Sequence, residues 1–181
     1  VTDTVTSTGL KCRLATFDHI EVTDSTIRIW LEAGEIQVAL KSGWNMVSVP
    51  VVTGNTSVSA VFPGVEAVYT WDPDSKAYAI PTDIDPDKGY WVAVLNATNI
   101  TILGTPVPSW TSNITKGWNM IGSVYGLSVN FTHPDDTPDL SIEGYAFWWN
   151  PTSRSYNYTK LIEPMKGYWV AALQDCSLTV S

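Results

Sequence analysis

LKSGWNMVSVP at residues 40–50 is written again as ITKGWNMIGSV at 114–124. Three more blocks repeat in the same order: VYTWDPDSKAYAI (68–80) with FWWNPTSRSYNY (147–158), PDKGYWVAV (86–94) with PMKGYWVAA (164–172), and NITIL (99–103) with SLTVS (177–181). The offset is 74 residues in the first block and 78 in the rest. The second copy has therefore gained four residues, around the polar, proline-rich THPDDTPD at 132–139. Several blocks aligned in order mark a duplicated unit. The chain divides into an unrepeated segment 1–39, a first unit 40–107 and a second unit 108–181.

Each unit reads as about five short strands. In GWNMVSV, alternation places Trp44, Met46 and Ser48 on one face and Asn45, Val47 and Val49 on the other. EAVYTW runs into the turn DPDS, whose Asp, Pro and Ser suit a tight turn. AYAIP, GYWVAVL and TNITILG follow, and SVSAVFPG (57–64) has room for a short helix. Strands about ten residues apart with turn signals between them predict an all-β fold. It consists of two tandem antiparallel units, sandwich- or barrel-like, preceded by an N-terminal β-segment. Within that segment LKCRLATFDHIEV, STIRIWLEA and EIQVAL read as further strands. They either extend a sheet of the same chain or reach into a neighbour as a pairing arm.

Composition narrows the function. Of 181 residues 44% are hydrophobic and only 15% charged, and the net charge is −8. An acidic chain does not neutralise a phosphate backbone, so nucleic acid is excluded as a partner. No apolar run reaches the length needed to span a bilayer, so membrane insertion is not expected. The opening residues do not read as a signal peptide, so export implies a processed form. The glycosylation pattern N-x-[ST] occurs at Asn55, Asn96, Asn99, Asn113, Asn130 and Asn157. Roughly two such sites would arise by chance in a chain of this composition. The excess points to a glycosylated protein at the cell surface or outside the cell. Cys12 and Cys176, near opposite ends, suit an oxidising compartment. They form either a disulfide stapling the termini or a cross-link between chains.

Catalytic and metal chemistry finds little footing. Asp83, Asp85 and Asp87 have the alternate spacing of a calcium loop, but the second copy has Leu161, Glu163 and Met165 there. Asp135, Asp136 and Asp139 read as a solvated insertion. His19 and His133 stand alone, without zinc-type spacing. No nucleophile motif is present. The expectation is a protein that is not an enzyme, with no catalytic residue, metal or cofactor.

The aromatic residues carry the remaining signal. Trp44 and Trp118, Trp71 and Trp149, Tyr78 and Tyr156, Tyr90 and Tyr168, and Trp91 and Trp169 recur in both copies. They read as the core of the repeat, with Tyr and Trp of each GYW on opposite faces. Trp30, Trp110 and Trp148 have no aromatic counterpart and are the candidates for contact with a ligand or partner. On this reading recognition belongs to what does not repeat: residues 1–39, Trp110 and 132–139.

The order GWN…W-[DN]-P…P-x-KGYWVA…(I/L)T(I/V) resembles a repeat of secreted and cell-surface proteins of archaea and some bacteria. It covers residues 40–181. The resemblance implies an extracellular structural subunit, from a surface layer or an archaeal sheath, and brings no catalytic residue. Such a subunit would assemble with itself through β-edges and aromatic contacts. The alternative is a carbohydrate-binding or adhesion module, with cell-surface glycans as the partner.

Overall fold

The glycines that open the two GWN words take positive φ, 91° at Gly43 and 108° at Gly117. A Cβ at either would meet nothing within 4 Å, so it is backbone conformation and not space that calls for glycine. The asparagine two residues on closes the corner. Asn45 Oδ1 accepts from the Lys41 N–H (2.8 Å), while its Nδ2 donates to the Lys41 carbonyl (2.7 Å) and the Gly43 carbonyl (3.1 Å). Asn119 makes the same three bonds with Thr115 and Gly117. G-W-N is thus a corner motif, and it releases tryptophan onto the outer face of the strand that follows.

The computed structural model describes residues 34–181 in full. Before them it describes the backbone of β1 (Asp3–Val5), β2 (Phe17–Val22) and β3 (Ile27–Leu31), an antiparallel sheet in the order β1-β3-β2. The first unit comprises β4 (Gly34–Leu40), β5 (Gly43–Val47), β6 (Val51–Val52), α1 (Val58–Val61), β7 (Ala67–Asp72), β8 (Ala77–Ala79), β9 (Tyr90–Val94) and β10 (Thr98–Pro106). The second comprises β11 (Trp110–Ile114), β12 (Gly117–Ile121), β13 (Val129–Asn130), β14 (Asp135–Thr137), β15 (Ala146–Asn150), β16 (Ser155–Thr159), β17 (Leu161–Ile162), β18 (Tyr168–Ala172) and β19 (Cys176–Val180). Among the described residues no helix is long and apolar enough to cross a membrane.

Each unit is a small antiparallel sandwich, and none of its sheets closes into a barrel. In the first, the outer sheet β4-β10-β6 lies over the inner sheet β5-β9-β7-β8. The outer sheet β11-β19-β14 and the inner sheet β12-β18-β15-β16 repeat this in the second. β4 alternates buried and exposed along its whole length, sending Ile36, Val38 and Leu40 into the first core with Val92 and Ile100. Trp110 and Ile114 take the places of Ile36 and Leu40 in the second core, and Val170 and Leu178 those of Val92 and Ile100. Tyr90 and Tyr168 are fully buried at the sandwich centres. Their hydroxyls accept the backbone N–H of Asp85 (2.7 Å) and Glu163 (2.8 Å), pinning the loop that precedes each KGYW.

Two expectations change, and one open choice is decided. The boundary at residue 39/40 falls at the end of β4, which pairs with β10 from Gly34↔Gly104 to Leu40↔Thr98, so residues 34–39 belong to the first unit. EIQVAL therefore completes a sheet of its own chain. The insertion at 132–139 is not simply solvated: it supplies β14, an extra strand on β19. Asp136 is buried there, accepting the N–H groups of Ser141 (2.5 Å) and Ile142 (2.9 Å).

Candidate functional site: twin aromatic hollows

Inner-sheet strands bury one face in their own sandwich and turn the other toward the opposite unit. On that second face stand Trp44, Met46, Tyr69, Trp71 and Trp91 from the first unit. Trp118, Met120, Phe147, Trp149 and Trp169 are their equivalents in the second. Met46, Trp91, Met120 and Trp169 meet there as a third buried cluster, with Tyr69, Trp71, Phe147 and Trp149 packed on it. The GYW tryptophans thus join the two units, while the GYW tyrosines hold each one together.

The contacts across this joint are reciprocal. Trp71 Nε1–H donates to the Trp118 carbonyl (2.8 Å), and Trp149 Nε1–H donates to the Trp44 carbonyl (3.0 Å). Gly89 N–H donates to the Met120 carbonyl (3.3 Å), and Gly167 N–H to that of Met46 (3.2 Å). Ser48 Oγ lies 2.7 Å from Ser123 Oγ. Residue i touching the equivalent of j, and j the equivalent of i, is the signature of a two-fold interface. Here it is generated within one chain, and the N–H groups of Ser48 and Gly122 continue it, donating to the Met165 (3.0 Å) and Asp87 (2.7 Å) carbonyls. The glycine of KGYW is required by this approach: a Cβ on Gly167 would stand 2.7 Å from the Val47 oxygen, and one on Gly89 2.8 Å from the Ile121 oxygen.

Two open hollows flank the axis. One, of about 380 Å³, is lined by Trp44, Tyr69, Tyr78, Trp91, Trp149 and Tyr156. The other, of about 470 Å³, is lined by Trp118, Phe147, Tyr156, Trp169, Trp71 and Tyr78. Exchanging the two units turns one set into the other, and Tyr78 and Tyr156 form the wall between them. The lining is aromatic throughout. Four of the ring pairs meet steeply, Trp44 on Trp91 at 87°, Trp91 on Trp149 at 74°, Trp118 on Trp169 at 87° and Trp71 on Trp169 at 76°, while Trp44 and Tyr69 are tilted at 46°. Edge-to-face contacts of this kind fix the rings beyond what burial alone would do. They keep the two platform tryptophans in place although Trp44 is 44% and Trp118 50% exposed.

The sites expected from sequence are redistributed. Trp44 and Trp118 are half open to solvent and not core. Trp71 and Trp149 are half-buried at the joint, and only Tyr90, Tyr168, Trp91 and Trp169 of that set are buried. Trp110, a candidate contact aromatic, is 8% exposed in β11 and packs in the second sandwich core, its Nε1–H donating to the Ser123 carbonyl (3.2 Å). Its position is that of Ile36 in β4. Trp148 packs on the second core with the Lys166 ammonium 4.5 Å above its ring. The side chain of Trp30 and the whole of Cys12 lie outside the described residues, and with Cys12 the expected bridge. Cys176 is buried in β19, where burial raises its thiol above the ordinary value. All six asparagines of the glycosylation pattern are exposed, whereas Asn45 and Asn119 are buried in the GWN corners. None of the six lines either hollow.

The acidic loop disperses its charge. Asp83 accepts from Thr56 (2.6 Å) and Thr82 (2.9 Å), Asp85 pairs with Lys88 (2.7 Å), and Asp87 accepts from Ser112 (2.6 Å). Sequence reading missed the hollows because it treated repetition as a mark of core alone. The available signal was the outward parity of Trp44, Tyr69, Trp71 and Trp91, too many rings for one solvent-facing sheet. No family model, curated protein or solved structure matches the chain.

Proposed function

We propose that the chain is a non-catalytic recognition module of a cell-surface or extracellular assembly, holding neutral saccharide chains against the rings of its two hollows. The observation that carries this reading is the pair of open cavities walled entirely by aromatic side chains. Their size is that of small-ligand sites. With no charged side chain in the lining, a neutral ligand fits better than an ion. Tyr78 and Tyr156 add hydroxyls to both walls. The Tyr156 hydroxyl already accepts the Trp169 Nε1–H (3.3 Å) and keeps its own proton to donate; an alkyl chain laid over that proton would leave it without a partner, at a cost. A sugar ring offers a C–H face for the indoles and a hydroxyl rim for the tyrosines. Rings and phenols bind, but they do not supply the paired carboxylates or the activated nucleophile that hydrolysis uses. Exposure of all six glycosylation-pattern asparagines supports a location outside the cell.

The test is a titration with a panel of neutral soluble oligosaccharides, read by tryptophan fluorescence. Binding that is lost in Trp44→Ala/Trp118→Ala, with the β-sheet circular dichroism unchanged, supports the reading. Leu103, exposed on the outer sheet, serves as control: Leu103→Ala should bind normally. Binding that survives the double substitution would place the ligand elsewhere.

A second reading, a structural subunit of a sheath or surface layer that assembles with itself, is favoured by β16. This strand, SYNYT, forms the edge of its inner sheet, carries no charge and exposes Tyr158. Uncharged edges are templates for pairing with another chain. Electron microscopy and sizing of the purified protein test it: lattices or filaments support it, and a monomer at high concentration excludes it.

A further inference from the structure

We infer that the two hollows are separate sites for two saccharide chains, and that the Tyr69 hydroxyl makes the first hollow the tighter. The inference rests on the saccharide reading above and extends it to stoichiometry and specificity.

The symmetry of the joint carries the first part. The line between two sites related by a two-fold axis must cross that axis. Rotation about the axis reverses any arrow drawn along the line. A saccharide chain is such an arrow, because its reducing and non-reducing ends differ. One chain laid through both hollows would meet Trp44, Tyr69 and Trp91 in one sense, and Trp118, Phe147 and Trp169 in the other. It could be complementary to one hollow only. Equivalent contacts need two chains, one in each hollow, parted by Tyr78 and Tyr156. The module then ties two polymer chains together, as suits a component of an extracellular matrix.

The second part follows from the one chemical difference between the linings. Five of the six positions are identical under the exchange, and the sixth pairs Tyr69 with Phe147. The first hollow therefore has one more hydroxyl to offer a sugar rim. One neutral hydrogen bond of ordinary strength corresponds to about a five-fold difference in affinity.

Calorimetry with neutral hexasaccharides (cellohexaose, chitohexaose, laminarihexaose and maltohexaose) tests this on the intact chain. The expected result, for whichever binds, is two molecules per chain with affinities about five-fold apart. Tyr69→Phe should merge the two classes at the weaker affinity, and Phe147→Tyr at the tighter one. One hexasaccharide per chain would overturn the two-site inference while leaving the saccharide reading intact. Two equal sites unaffected by Tyr69→Phe would overturn the role of that hydroxyl. A nitroxide at the reducing end reads equivalence at saturation. It should broaden the indole signals of Trp44 and Trp118 together or spare both; broadening one alone means that the two chains make unlike contacts and overturns the pairing of equivalent sites. Binding by none of the four overturns the saccharide reading, and this inference with it.

Discussion

Replacing Gly167 with alanine tests whether the repeated KGYW word is written for the joint between the units. The added methyl would stand 2.7 Å from the Val47 oxygen, 3.2 Å from the carbon of that carbonyl and 3.3 Å from the Gly89 Cα. All three are backbone atoms, so no rotamer change relieves the clash and the two inner sheets must separate. Overpacking of this kind costs about 1–3 kcal/mol. The inter-unit bonds from Gly167 N–H to Met46 (3.2 Å) and from Ser48 N–H to Met165 (3.0 Å) stretch with it. Each contributes about 1 kcal/mol. The expected loss is about 3 kcal/mol, or roughly 6–12 °C in Tm for a chain of this size. Two other glycines calibrate the result. Gly54 has nothing within 4 Å of an added Cβ, so Gly54→Ala should stay within about 0.5 kcal/mol. Gly43 is equally open but sits at φ 91°, so Gly43→Ala should cost about 1–2 kcal/mol from backbone strain alone. Urea denaturation followed by tryptophan fluorescence ranks the three. Should Gly167→Ala prove as mild as Gly54→Ala, the close approach across the axis is not what the motif glycine serves.

Two other outcomes follow from the same packing. Burial raises the phenols of Tyr90 and Tyr168 above their ordinary value of 10.0, so the unfolded chain ionises them first. Their contribution to stability is complete below pH 10.0 and falls as pH rises beyond it, because the unfolded state then binds fewer protons. Urea midpoints should therefore hold through neutral pH and decline toward about pH 11; a flat profile above 10 would contradict the buried, neutral phenols. Replacing Asn45 or Asn119 by alanine strands the N–H and carbonyl of the residue four places earlier, and should cost about 2–3 kcal/mol in the same assay. A cost below about 0.5 kcal/mol would mean that glycine alone makes the corner.

Much of the fold could be read along the chain, because duplication and alternation are both local signals. The parity that placed Trp44 and Met46 opposite Val47 is the parity of the folded strand. So is the split of each GYW between the sandwich core and a second layer. Two features were hidden for physical reasons. β4 and β11 occupy equivalent edges, yet they share no recognisable word: Ile36, Val38 and Leu40 face inward in one, Trp110, Ser112 and Ile114 in the other. An outer strand has to match only its sheet's hydrogen bonds and the parity of its buried face, so its letters drift while its place does not. Trp110 consequently looked like a loop residue. The hollows were hidden because they belong to neither unit. Each takes Trp44 or Trp118 from one copy and Trp149 or Trp71 from the other, and only the two-fold joint brings them together.

The indole N–H signals of the nine tryptophans, followed by NMR during titration with a neutral hexasaccharide that binds, test the central claim most directly. Trp44 and Trp118 should shift most. Trp110, whose N–H is held by the Ser123 carbonyl inside the second sandwich, should stay in place. Shifts at Trp110 or Trp148 with Trp44 and Trp118 unmoved would contradict the account and return recognition to the residues that do not repeat.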